Sequence, residues 1–205
     1  VTFEVGGDSI SADFDGESFN GYTFKTTLIR QSRTWNFNLS YQDYSPGFRA
    51  DNSAIFSNDG RILHTQQTYN VHYDDHKQLN FIRPGLYLWR KYDYAGDVKD
   101  TGVRPTMLIA FQHQTFLNLG GFLYNQEKFG GVKFDDARTV WGYLGTSAFE
   151  RVGGGIVVNR GEAINRFGVL GSEHNPLELV PTFEINGNLR WRPTDQLRTE
   201  FSFDS

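Results

Sequence analysis

His72, Asp74 and His76 alternate along one stretch of chain, and imidazole with carboxylate is a donor set for a divalent metal. On a straight strand the two imidazoles would stand about 13 Å apart, beyond a shared coordination sphere. A site there needs a bend at Asp74-Asp75, and a solvated loop is the simpler reading. Glu178 and Glu184 share a parity but lie about 20 Å apart along a strand, too far for the paired carboxylates of glycoside hydrolysis unless a cross-strand partner intervenes. Asp93, Asp97 and Asp100, and the pair Asp135-Asp136, carry enough acid for weak calcium binding but lack the dense spacing of a calcium loop. Gly153-Gly154-Gly155 has no helical pattern after it, so it marks a bent or closely approached strand and not a phosphate loop. No catalytic, cofactor-binding or metal residue is assigned from these groups, and no enzyme activity is expected.

The elements that would carry them are strands. From Leu177 to Arg192 the odd positions are Leu177, Leu179, Pro181, Phe183, Ile185, Gly187, Leu189 and Trp191, and the even positions are polar except Val180. Period two of this kind is a strand with one apolar and one polar face. Leu197, Thr199, Phe201 and Phe203 repeat the pattern, which implies a hairpin. Since the apolar residues are odd in both strands, opposed residues must sum to an even number. A loop at Thr194-Asp195-Gln196 then places Arg190 opposite Glu200, Leu189 opposite Phe201 and Asn188 opposite Ser202, with an ion pair between the first two.

Tyr22 to Leu28 and Trp35 to Tyr41 alternate likewise around a tight turn at Gln31-Ser32-Arg33-Thr34, and Leu63 to Tyr73 follows with a weaker apolar face. Further strands are expected at Leu79–Tyr94, Arg104–Leu117, Gly120–Gln126, Ala137–Phe149, Val152–Asn159 and Ile164–Leu170, roughly a dozen in all. Gly, Asp and Asn clusters at Ser57–Gly60, Ala95–Gly102, Phe129–Asp136 and Gly171–Asn175 read as loops. Helix content should be very low, and 1–205 reads as a single domain.

Composition agrees with strands. Aromatics make up 16% of the chain, with 18 Phe, 10 Tyr and 4 Trp, while hydrophobic residues reach only 38%. The formal charge is −4 with both signs interspersed, so no basic face exists to neutralise nucleic acid. There is no cysteine, hence no disulfide framework or thiolate metal site. No apolar run approaches the roughly 18 residues of a membrane helix, which leaves a barrel open.

Length selects among all-β architectures. Strands of soluble sandwiches commonly run about five or six residues, whereas a strand from Leu177 to Arg192 would rise about 40 Å along a tilted barrel axis. It would cross the apolar band of an outer membrane and continue beyond it. Trp35, Tyr41, Tyr44, Trp89 and Trp191 are then interfacial girdle candidates, and Glu184, Asn186, Asn188, Arg190 and Glu200 face a polar lumen.

Tyr44-Ser45-Pro46-Gly47-Phe48-Arg49-Ala50-Asp51-Asn52, followed by Asn58-Asp59-Gly60-Arg61, resembles the "S-P-x-F-R-A-D-x-G-F … D-x-R" signature of an uncharacterised family of bacterial outer-membrane β-barrels. Members of that family usually carry an N-terminal carbohydrate-binding-like domain before the barrel. Leu189-Arg190-Trp191-Arg192-Pro193-Thr194-Asp195-Gln196-Leu197-Arg198 is similar to the family's late hairpin, where a strand ends in "R-P-T" and the next begins with Leu. The chain departs from the signature at Asn52-Ser53-Ala54, where the family has Gly-Phe, and the sugar-binding-like domain is absent, so sugar binding is not carried over. The resemblance implies fold and location more than activity.

The expectation is therefore an all-β, antiparallel up-and-down transmembrane β-barrel in a bacterial outer membrane. Because Leu197–Ser205 stops within a patterned strand, the chain is expected to be an incomplete portion of a larger barrel. Such a barrel would act as a channel, an anchor or a subunit of a surface assembly. Its partners would be outer-membrane lipid, other protein subunits or surface glycans, and no cofactor is implied. The alternative is a soluble extracellular β-sandwich that binds glycans through its aromatics.

Overall fold

The computed structural model describes residues 2–5, 8–11, 21–48, 59–168 and 171–205, and the regular structure among them is all strand. Thr2–Val5 (β1) and Asp8–Ser11 (β2) form a two-stranded antiparallel hairpin. The rest are β3 (Thr23–Arg30), β4 (Trp35–Tyr44), β5 (Gly60–Tyr69), β6 (Val71–His72), β7 (Leu79–Tyr92), β8 (Val98–Phe111), β9 (Thr115–Gly121), β10 (Tyr124–Phe129), β11 (Val132–Asp135), β12 (Thr139–Thr146), β13 (Val152–Ile164), β14 (Leu179–Trp191) and β15 (Thr199–Asp204). They make one thirteen-stranded antiparallel sheet. Its spatial order is β3-β4-β5-β7-β8-β9-β12-β13-β14-β15, with β6 beside β7 and the β10–β11 hairpin beside β8. β3 and β15 are the two edges of this path and do not pair with each other, so the sheet is open.

Opposed residues project from the same face, so the register carries one face across every strand of the path. Leu28 faces Leu39, Leu39 faces Thr65, Thr65 faces Leu88 and Leu88 faces Val103. Four positions along on β7 and β8, Pro84 faces Met107, and from there Met107 faces Leu119, Leu119 faces Gly142, Gly142 faces Val158 and Val158 faces Ile185. Leu189 and Phe201 complete it. The opposite face carries Ser40, His64, Gln66, Arg83, Asn118, Asn186 and Asn188 by the same pairings.

The apolar face is not covered by a second layer among the described residues. Leu28 and Phe183 are each 60% exposed, and Leu63, Val140, Leu144, Leu189 and Phe201 stand in the open beside them. The only buried apolar side chains among the described residues are Phe134 and Ala137.

Connections fall into two groups. Along one rim the strands are joined through 31–34, 112–114, 147–151 and 192–198, with 70–78 containing β6. Along the other they are joined through 45–59, 93–97, 122–138 and 165–178, three of which exceed any connection on the first rim. We call these the turn rim and the loop rim.

Several boundaries differ from expectation, for physical reasons. The strand expected at Arg104–Leu117 is the β8–β9 hairpin, turned at 112–114 with His113 and Gln114 at φ of 59° and 55°. Val152–Asn159 and the start of Ile164–Leu170 are one strand, β13, paired along its whole length with β14. Gly120–Gln126 divides at Phe122-Leu123, between β9 and β10. The loop expected at Phe129–Asp136 holds β11, turned back by Gly130 and Gly131 at positive φ, and that at Ala95–Gly102 is only a tight turn before β8. Leu63–Tyr73 breaks at Asn70, whose amide nitrogen donates to Thr34 O at 2.6 Å. The last hairpin has the expected register, but its connection is longer, 192–198. The expected Arg190–Glu200 ion pair is not formed. Arg198 binds Glu200 at 3.2 Å and Arg190 reaches Ser147 Oγ at 3.4 Å.

Candidate functional site

The expected lumen-facing residues Glu184, Asn186, Asn188, Arg190 and Glu200 share the polar face, on β14 and β15. Glu184 accepts from Asn159 Nδ2 at 3.1 Å, and Asn188 lies opposite Gly155. Of the girdle candidates, Trp35, Tyr41 and Trp191 stand on the apolar face. Trp89 does not: it pairs with His64 and Gly102 on the polar face, and Tyr44 is on that face too. The stretch around Trp89 is apolar on both sides, so alternation could not assign it.

The acidic and histidine groups are absorbed by local structure. Arg33 bridges Asp74 at 2.8 Å, His72 Nε2 lies 3.1 Å from Arg33 O, and His76 Nδ1 accepts the amides of Gln78 and Leu79. Among the described residues no group of three acids or histidines is placed to hold a metal. Asp93 is 5% exposed and closes the β7–β8 turn, accepting the Asp97 amide at 2.8 Å and binding Lys99 at 3.1 Å. Burial alone would push its carboxyl up, but the Lys99 ammonium and the Asp97 and Gly96 amides outweigh it and hold the group below 3.8. Gly153-Gly154-Gly155 is a closely approached strand, since a β-carbon at Gly155 would lie 2.7 Å from the Tyr143 hydroxyl.

Side chains from distant parts of the chain converge where the polar face meets the loop rim, around a cavity of about 400 Å³. β7 supplies Tyr87 and Trp89, and β8 supplies Asp100 and Arg104. The β10–β11 hairpin adds Glu127, and the turn after β13 adds Arg166. Trp89 stacks on Tyr87 at 5.2 Å between centroids and meets Phe122 edge-on at 5.7 Å. Its Nε1 donates to Asp100 Oδ1 at 2.8 Å. Arg166 forks onto both oxygens of Glu127 at 2.8 Å and lies 4.9 Å over Phe129, which ties the hairpin to the end of β13. The hydrogen bond to Glu127 raises the Arg166 pKa further.

Arg104 is different. Its guanidinium lies 4.8 Å from the Tyr87 ring and 5.8 Å from Phe122, with Nε buried and without a hydrogen-bond partner. Two rings hold the cation, and its Nε finds no acceptor among the described residues.

A second cluster stands at the loop rim on the other side of the sheet. The Tyr94 hydroxyl donates to Asp43 and lies 2.9 Å from that of Tyr22, while Arg61 stacks 4.6 Å over the Tyr94 ring. Burial, then the Asp43 carboxylate, push the Tyr94 phenol well above 10.0. The first part of the signature-like stretch turns beside it, with buried Ser45 accepting the Tyr22 amide at 2.8 Å. Arg49 to Asn58 lie outside the described residues.

Comparison with family models, with curated proteins and with solved structures finds no match to this chain. The site rests on its own chemistry.

Proposed function

We propose that the chain is wall of an outer-membrane β-barrel, its apolar face against lipid and its polar face lining a lumen, acting as a channel, an anchor or a subunit of a surface assembly. The observation that carries this is the unbroken apolar face along the whole path from β3 to β15. In water such a face would be a large exposed patch, whereas in hydrocarbon it is solvated.

Further features support the reading. On the apolar face, Trp35, Tyr69, Phe111 and Trp191 line up near the turn rim, and Phe24, Tyr41, Tyr92 and Tyr124 near the loop rim. From Trp35 to Tyr41, or from Pro181 to Trp191, a tilted strand rises about 15 to 25 Å, the scale of an outer-membrane apolar band. Among the charges of this face, Arg30, Asp43, Arg61, Arg90, Arg160 and Glu162 stand toward the rims. The shorter turns on one rim and longer connections on the other match periplasmic and extracellular ends. The two edges run antiparallel, so they can pair directly or through an even number of further strands, as hydrocarbon demands of any sheet edge. The resemblance to outer-membrane barrels points the same way.

The absence of cysteine makes the test free of background labelling. Single cysteines at Leu39, Leu144 and Leu189 should react only with a membrane-permeant maleimide, and cysteines at Asn38, Tyr143 and Asn188 with a water-soluble one. A chain that stays monodisperse without detergent, with Leu144→Cys open to the water-soluble reagent, would replace the barrel by the soluble glycan-binding sandwich.

A further inference from the structure

We infer that the cavity around Trp89 is a binding site for a small zwitterion, of the class of an amino acid or dipeptide. Gly102 lies between Asp100 and Arg104 on the same face of β8, and the Trp89 ring covers it: a β-carbon at Gly102 would come within 2.1 Å of the indole. The indole is therefore a floor with a carboxylate at one margin and a guanidinium at the other. Asp100 Oδ1 is engaged by Trp89 Nε1, which fixes the carboxylate and leaves Oδ2 outside that bond. Arg104 is fixed by Tyr87 and Phe122, and its buried Nε has no acceptor among the described residues.

The charges decide the ligand class. Glu127 and Arg166 neutralise each other, and among the described residues neither Arg104 nor Asp100 forms an ion pair across the aromatic floor, Asp100 feeling Lys91 and Arg166 only through space. A phosphate would meet Arg104 but be repelled by Asp100. A neutral sugar would stack on Trp89 yet leave the half-buried guanidinium without a counter-charge. A ligand with a carboxylate at one end and an ammonium at the other satisfies both groups, and its apolar body rests on the indole. The Cα atoms of Asp100 and Arg104 stand about 13 Å apart on an extended strand, so the two charged groups flank the indole from either side. The volume is at the small end of ligand sites.

The test uses the full chain in detergent micelles, with the dipeptide Ala-Phe as probe and Trp fluorescence and calorimetry as readouts. Ala-Phe should bind saturably. Its C-terminal amide should bind at least about tenfold more weakly to the wild type, and Arg104→Gln should abolish that discrimination. N-acetyl-Ala-Phe should likewise lose about tenfold, a loss absent in Asp100→Asn. If Arg104→Gln fails to fold, Arg104→Lys keeps the charge and should retain the preference for the free carboxylate. Failure of Ala-Phe to bind, equal binding of the amide, or Arg104-dependent binding of glucose or inorganic phosphate in its place would overturn the inference. Binding reads the polar face and micelle dependence reads the apolar face, so this inference and the barrel reading fail separately.

Discussion

Trp89 and Gly102 stand directly opposite each other on β7 and β8, and the indole occupies the space a side chain at Gly102 would need. The ring is held there by Asp100, Tyr87 and Phe122. Gly102→Ala should therefore destabilise the sheet by about 1–3 kcal/mol, the usual range for overpacking. Urea unfolding followed by Trp emission measures it, and an unchanged midpoint would mean that Trp89 is free to swing away.

The two faces should respond oppositely to charge. Leu144 lies on β12 in the middle of the apolar band, so Leu144→Arg should cost about 2–4 kcal/mol in a bilayer. Asn186→Arg, on the polar face, should change stability by less than about 0.5 kcal/mol. Reversible unfolding into vesicles gives both values, and equal effects would contradict the assignment of faces.

Register is testable by cross-linking. Asn188 and Ser202 are opposed, and opposed β-carbons lie about 4.5–5.5 Å apart. A double variant with cysteines at both positions should oxidise readily, whereas cysteines at Asn188 and Phe201 point to opposite faces and should not. Faster oxidation of the second pair would show a slipped β15.

The β7–β8 turn should loosen in acid. The Asp93 carboxyl is held below 3.8 in the folded chain, so its stabilisation is fully present above that value and is lost as pH falls through the lower folded pKa. Amide exchange at Asp97, which donates to Asp93, should quicken relative to the rest of the sheet on that descent. Asp93→Asn should remove the pH dependence.

Much of the fold is legible as parity. The register of β14 and β15 follows from odd apolar residues on both strands, and the polar face of Glu184 to Arg190 follows with it. The same rule conceals hairpins. A three-residue turn preserves odd-on-odd pairing, so β8 and β9 read as one continuous alternation through Gln112-His113-Gln114. The turn there depends on left-handed backbone at His113 and Gln114, and without Gly or Asn only the His hints at it.

The cavity was not legible for a related reason. Leu86-Tyr87-Leu88-Trp89 is apolar at every position, so alternation assigns neither face, and Trp89 was expected among the girdle residues. What places it is Gly102, visible only once β7 and β8 are in register. Likewise the Arg190–Glu200 pairing follows from parity, but the choice of Arg198 as the partner of Glu200 depends on side-chain reach.

The order of the strands also bears on how the sheet assembles. Most neighbours in the sheet are neighbours in sequence, and closing such connections costs little chain entropy, so they zip early. β9 and β12 are different, because the β10–β11 hairpin lies between them in the chain. Two meanders, β3 to β9 and β12 to β15, should thus form independently and join late along the seam where Leu117 faces Leu144. Pulse-labelled exchange should protect the Tyr41 and Asn186 amides before those at the seam, and simultaneous protection would point to one concerted event.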